Sequence, residues 1–141
     1  MATDDNRRHV SIDRTSASCY TAANERGGTI AVGDGSTAAF TPVELLLTAI
    51  AACTAIDVDI VTSRRAEPDS FRVDADASKV RDAGGSQLAG ITVTFAVAFP
   101  DGPDGDKARA VLPGIVRTSH DRLCTVSRTV ELGTPVTSRI S

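Results

Sequence analysis

Tryptophan is absent from this 141-residue chain and aromatic side chains make up only 4% of it. Any interior must therefore be assembled from valine, isoleucine, leucine and alanine. Cysteine is also scarce: Cys19, Cys53 and Cys124 are too few for a disulfide framework and read as reduced thiols. The two histidines, His9 and His120, stand in no metal-ligand spacing with cysteines or carboxylates, so no metal site is expected. Clustered cations are missing as well. Only Arg7-Arg8 and Arg64-Arg65 are adjacent, and a net charge of −3 argues against a nucleic-acid partner. No P-loop, G-x-G-x-x-G or G-x-S-x-G occurs, which removes nucleotide cofactors and hydrolase-elbow chemistry. The polar start MATDDNRRHV lacks the apolar stretch of a signal peptide, and a cytoplasmic location is expected. Residues 43–61 are the longest apolar run, but Glu44, Asp57 and Asp59 interrupt it. Charges there are costly in hydrocarbon, so a buried helix is expected rather than a membrane span.

What is present suits one domain over 1–141, with residues 1–8 as a flexible tail. Strand-like alternation at Val10 and Ile12 lies within 9–22 and runs to a turn at Asn24-Glu25-Arg26-Gly27-Gly28. A short partner strand follows at 29–32. A helix opens at Thr41: the threonine caps it, Pro42 suits the first position, and Glu44 completes a T-x-x-E capping box. That helix is expected to run to Arg64-Arg65, apolar nearly all round and hence central. Beyond Glu67-Pro68, residues 71–78 and 91–99 alternate as strands, separated by a turn at Asp82-Ala83-Gly84-Gly85. Residues 100–106 read as a loop. Ala108, Val111, Leu112, Ile115 and Val116 have helical spacing, with Pro113-Gly114 dividing or kinking the helix. A last strand is expected at 134–140. The order points to an α+β fold rather than a parallel wound sheet.

The chemistry lies with the thiols. Taken alone, Cys53 inside an alanine-rich helix is ordinary core filling, because free cysteine is among the most buried residue types. Asp57 shares its helical face and would raise the thiol pKa, so a nucleophilic Cys53 needs a cation nearby. Cys124 lies where a helix gives way to Thr-Val-Ser-Arg, and partial exposure is expected. Cys19 reads as structural, and His120-Asp121 as a polar helix end. Arg26, in a glycine-rich turn, would by itself be merely solvated, and Glu44 by itself is fully explained by the capping box.

The segments Thr41-Pro42-Val43-Glu44-Leu45-Leu46-Leu47, Ala51-Ala52-Cys53-Thr54-Ala55-Ile56-Asp57-Val58 and Arg122-Leu123-Cys124-Thr125-Val126-Ser127-Arg128 resemble the OsmC/Ohr family of thiol peroxidases. Their wording looks most like its YhfA-like branch. The likeness extends from about Val10 to Ile140. It implies an intertwined α+β homodimer, with a long central helix packed between antiparallel sheets and active sites at the subunit interface. It also implies that Cys53 matches the peroxidatic cysteine, Cys124 the resolving one, and Arg26 the arginine that stabilises the thiolate. One departure stands out. The best-studied members carry a glutamate ten residues before the reactive cysteine, where this chain has Val43, with Glu44 one position later and rotated by about 100° on a helix.

The resulting expectation is a thiol-dependent peroxidase that reduces organic hydroperoxides through a Cys53 sulfenic acid and a Cys53–Cys124 disulfide, reset by an external dithiol. It needs no cofactor, and the site residues are Cys53, Cys124, Arg26 and Glu44. Leu46, Ile50 and Ile56 would provide an apolar site. The alternative is a non-enzymatic dimer that binds an apolar small molecule or senses redox state. Thiol-dependent ester hydrolysis ranks below both, because no motif places a histidine base.

Overall fold

Residue alternation and turn chemistry build the first part of the chain. The computed structural model describes residues 5–141, which fall into two compact units meeting in sequence between Leu46 and Leu47. Of the tail expected at 1–8, residues 1–4 lie outside the described residues. Residues 5–8 are exposed, with Arg7 3.3 Å from Glu25.

In the first unit, β1 (Val10–Ser16), β2 (Cys19–Asn24) and β3 (Thr29–Val32) form an antiparallel sheet in the order β1-β2-β3. The strand-like stretch expected within 9–22 resolves into two strands, folded back at Ala17-Ser18, where Ser18 takes a left-handed φ of 57°. The register aligns Ile12 with Ala22 and Ala22 with Ile30, so these three side chains make one apolar row across the sheet. That row is poorly covered: Ile12 is 59% and Ile30 53% exposed.

Helix α1 (Pro42–Ser63) starts as its sequence prescribes. The Thr41 backbone N–H donates to Glu44 Oε1 at 2.9 Å, and the Glu44 N–H donates to Thr41 Oγ1 at 3.2 Å. The backbone N–H and the hydroxyl of Thr41 hold the Glu44 carboxyl below the usual range. The helix stops at Ser63, just short of the expected arginines. Arg65 instead reaches back to the Val61 carbonyl at 2.8 Å.

In the second unit, Ile50, Ala51, Thr54, Val58 and Thr62 form the buried stripe of α1. Thr62 sits there without penalty because its hydroxyl donates to the Val58 carbonyl at 2.8 Å. The opposite face is open, with Ile56 60% and Ile60 48% exposed. The all-round burial expected of this helix is therefore not reached within one chain.

Strands β4 (Ser70–Asp82) and β5 (Gly85–Ala98) make a long antiparallel hairpin. Phe71, Val73 and Ala75 pair with Val97, Phe95 and Val93 on its half-buried face. A bulge near Ala77 ends that alternation, and the outer arm is mostly exposed. Helix α2 (Pro103–Thr118) begins inside the stretch expected as loop, with Pro103 at its first turn. Gly105 makes that start possible, since a Cβ there would strike the Pro100 carbonyl. The helix runs on through Pro113 rather than dividing, and continues into a π-helical turn, Ser119–Leu123. Helix α3 (Thr125–Leu132) follows. No strand forms at 134–140. Gly133, at φ 63°, closes α3 in the left-handed conformation, and the residues after it are exposed and irregular. Gly133 followed closely by Pro135 is a helix-stop signal, which the alternation of the tail had masked. The fold is α+β, with two antiparallel sheets and three α-helices among the described residues.

Candidate functional site

Cys53 and Cys124 meet in the second unit. Cys53 projects from the middle of α1 and is half-buried, while Cys124 is wholly buried at the joint between the π-helical turn and α3. The two thiols are near enough that each shifts the titration of the other. All three cysteines are free thiols.

Burial of Cys124 corrects the expectation of partial exposure, and the backbone explains it. The π-helical turn closes with the Cys124 N–H donating to the Ser119 carbonyl at 2.8 Å, an i to i−5 bond that widens the chain by one residue at this point. The cysteine then takes an extended conformation (φ −74°, ψ 101°) and caps α3. Its sulfur accepts the Ser127 N–H at 3.3 Å and lies 3.2 Å from the Ser127 hydroxyl. The preceding amide, of Val126, is near enough to Cys53 to favour its thiolate. The positive end of α3 thus lies beside both thiols. A cysteine standing where Ser, Thr, Asp or Asn normally cap, followed by T-V-S and a short amphipathic run, was the available sequence signal. Reading 134–140 as the next element concealed it.

These surroundings treat the thiols differently. Burial pushes the Cys53 thiol up from its ordinary value. Neighbouring Cys124 pushes the same way, as does the charge of Asp57, against the amide of Val126. Burial also raises Cys124, but donors outweigh it. Cys53, the Ser127 hydroxyl and amide, and Thr54 together bring the Cys124 thiol below its ordinary value. The pair titrates as a unit, and within one chain a negative charge rests more easily on Cys124 than on Cys53. No cation is among the leading influences on Cys53.

Arg26 and Glu44 belong to the first unit. Arg26 lies exposed in the turn between β2 and β3, its N–H held by Asn24 Oδ1 at 3.0 Å. Glu44 closes the capping box of α1. Among the side chains expected to make an apolar site, Ile50 is buried and lines a cavity of about 380 Å³, together with Thr54, Ile91, Phe95, Val116, Ser127 and Val130. Leu46 and Ile56 are exposed; Ile56 borders a separate depression beside Ala52, Ala55 and Phe71. Thr54 and Ser127 belong both to the cavity wall and to the hydrogen bonds of Cys124, so the cavity adjoins the thiol pair.

At the cavity rim, His120 Nδ1 is 3.0 Å from Asp121 Oδ1 and Nε2 is 2.7 Å from Glu131 Oε1. Asp121 and Glu131 together raise the imidazole pKa above its ordinary value. His120 thus links the π-helical turn to α3, a contact that sequence reading had reduced to a polar helix end.

A family model described as OsmC-like protein matches residues 33–139. No curated protein matches the chain. Solved structures share the fold. A hypothetical protein from Aquifex aeolicus superposes with a TM-score of 0.71 at 20% identity, covering 92% of this chain and 90% of that one. An OsmC-like protein of unknown function from Vibrio cholerae gives 0.71 at 14% identity, covering 89% and 94%. The organic hydroperoxide resistance protein OhrB of Bacillus subtilis gives 0.55 at 19% identity, covering 88% and 90%.

Proposed function

Because this chain belongs to the OsmC-like family, we propose that it is a thiol peroxidase for organic hydroperoxides. The observation that carries this reading is the proximity of Cys53 and Cys124, each shifting the other's titration, with the Ser127 N–H donating to Cys124 at the start of α3. The Cys53 thiolate attacks the distal oxygen of ROOH. The O–O bond breaks, sulfur becomes sulfenic acid, and the departing alkoxide takes up a proton as the alcohol. Cys124 then attacks the sulfenic sulfur, its thiol proton leaves with the hydroxyl as water, and a disulfide forms. An external dithiol reduces that disulfide and is itself oxidised. Ile50 and its neighbours in the adjoining cavity favour an alkyl substituent over hydrogen peroxide, since removing apolar surface from water is favourable.

Cys53 also needs a cation, because burial and Asp57 both disfavour its thiolate. Arg26 supplies it in this proposal, within a homodimer whose contact surface includes the exposed Ile12, Ile30, Ile56 and Ile60. Glu44 is the carboxylate that orients Arg26, a second duty beside its cap. A glutamine preserves a capping box, so Glu44→Gln separates the two duties: lowered kcat/KM with unchanged thermal stability assigns the second. The protein works in the cytoplasm, where dithiol reductants are available.

The test is mass spectrometry after one equivalent of cumene hydroperoxide. The wild type should lose two hydrogens and yield a Cys53–Cys124 linked peptide. Cys124→Ser should stop after a single turnover with a sulfenic acid on Cys53, and Cys53→Ser should consume no peroxide. A Cys53→Ser protein as fast as wild type ends the proposal. The elevated Cys53 thiol and the apolar cavity favour a second reading, a non-enzymatic dimer that binds an apolar small molecule or senses redox state. A Cys53 pKa at or above about 8.5 in the assembled protein, with no disulfide on peroxide titration, would select it.

A further inference from the structure

The Ser119 side chain has no role in the chemistry above, yet it is completely buried, with its hydroxyl donating to Asp57 Oδ2 at 2.7 Å. This bond joins α1 to the π-helical turn across 62 residues of sequence. Each partner stands next to one thiol. Asp57 is one helical turn from Cys53 on α1, and its charge is felt there. Ser119 accepts the Cys124 N–H through its own carbonyl at 2.8 Å. A single side-chain bond therefore spans the two elements at the level of the two sulfurs.

We propose that Asp57 and Ser119 are positioning residues, a clasp that holds the π-helical turn against α1 so that Cys124 stays within bonding reach of Cys53. The proposal rests on the redox reading of the thiol pair and adds to it the device that fixes their separation. Three features of the site support this role. The turn is π-helical, a rare geometry that occurs mostly as single turns and frequently at functional sites. A hydrogen bond to a carboxylate is among the stronger kinds and the more exacting in geometry. Asp57 also acts unfavourably on the Cys53 thiolate, so its place beside the thiol has a structural reason rather than an electrostatic one. Holding two groups in reacting geometry raises their effective concentration, and disulfide formation is directly sensitive to that.

The experiment measures the dithiol–disulfide equilibrium of the full-length protein in glutathione buffers. Glutathione disulfide oxidises the two protein thiols and two glutathione thiols are released, so no peroxide is needed. The wild type should form the Cys53–Cys124 disulfide. Ser119→Ala should shift the equilibrium about tenfold toward the dithiol, the low end for a hydrogen bond to a charged partner. Asp57→Ala breaks the same bond from α1 and should give the same shift. The double variant should show about tenfold rather than a hundredfold, because both changes remove one interaction. Asp57→Asn keeps an acceptor for the Ser119 hydroxyl and should stay near the wild-type equilibrium, while its Cys53 thiol becomes more acidic in pH-dependent alkylation. A general loss of folding would not be rescued in this way.

Shifts under twofold for both single variants, additive shifts, or Asp57→Asn behaving like Asp57→Ala would each overturn the clasp while leaving the redox reading intact. Should Ser119→Ala fail to fold, the Asp57→Ala and Asp57→Asn pair decides alone. A wild-type protein that forms no disulfide in any glutathione buffer removes both proposals at once.

Discussion

The two units of this chain solve the problem of burying apolar surface in opposite ways. The second keeps a stripe of α1 dry, with Val58, Thr62, Ala108, Ser119 and Cys124 fully enclosed. The first is a three-stranded sheet with β1 exposed along its whole length and an open row of Ile12, Ala22 and Ile30. A small sheet with an uncovered apolar face is a marginal structure in water, and such a face usually marks an interface. The contrast teaches that burial within one chain is enough to assemble the thiol pair. It is not enough to account for the sheet, nor for the outer face of α1 with Ile56 and Ile60.

The largest effect expected from this contrast lies in the sheet. If the proposed homodimer forms, Ile30→Asp should cost about 3 kcal/mol per protomer, from lost burial and an unpaired charge, and should turn that dimer into monomers in sedimentation. A change within about 0.5 kcal/mol, the usual range for a surface site, would mean that the sheet simply faces water and would break the comparison. Within the second unit, Val58→Ala should cost about 2 kcal/mol in denaturant melts. Val58 is already 0% exposed in the single chain, so this loss should not depend on protein concentration, whereas that of Ile30→Asp should.

The smallest effect probes how firmly α3 is tied down by His120. Its folded pKa is raised, so the stabilisation is fully present below the unfolded value of about 6.5 and is lost as pH rises through the higher folded value. The imidazole is 54% exposed, which limits the contribution to a few tenths of a kcal/mol. Wild type should melt slightly above His120→Gln at about pH 5.5, and the two should coincide by about pH 8.5. An advantage that grows with pH would contradict the pairing with Asp121 and Glu131.

Local rules carried much of the architecture. The Thr41–Glu44 capping box, the turn at residues 82–85 and the alternation of β4 and β5 appear where the residues imply them. Errors arose where two local signals competed. In the C-terminal segment, alternating valine, threonine and isoleucine suggested a strand while Gly133 and Pro135 were ending a helix. At residues 100–106, proline and glycine suggested a loop, although Pro103 is a favourable helix opener and Gly105 is needed for close contact with Pro100.

The candidate site was legible to a lesser degree. Both cysteines could be singled out, and the C-T-V-S wording carried the family resemblance. The capping of α3 by Cys124 had a local signal that the alternation of the tail hid, whereas the burial of Cys124 could not be read, because it follows from a π-helical closure that no residue pattern announced.

By itself, the sequence determined the order and type of most elements, because capping, turn chemistry and side-chain periodicity act over only a few residues. The tertiary structure alone decided that Cys53 and Cys124 come near one another, that Val126 lies near Cys53 while the Ser127 amide donates to Cys124, and that Asp57 holds Ser119. The reason is physical: each of these contacts except the Ser127 cap links groups more than sixty residues apart. Their formation depends on how whole elements pack, not on any neighbour along the chain.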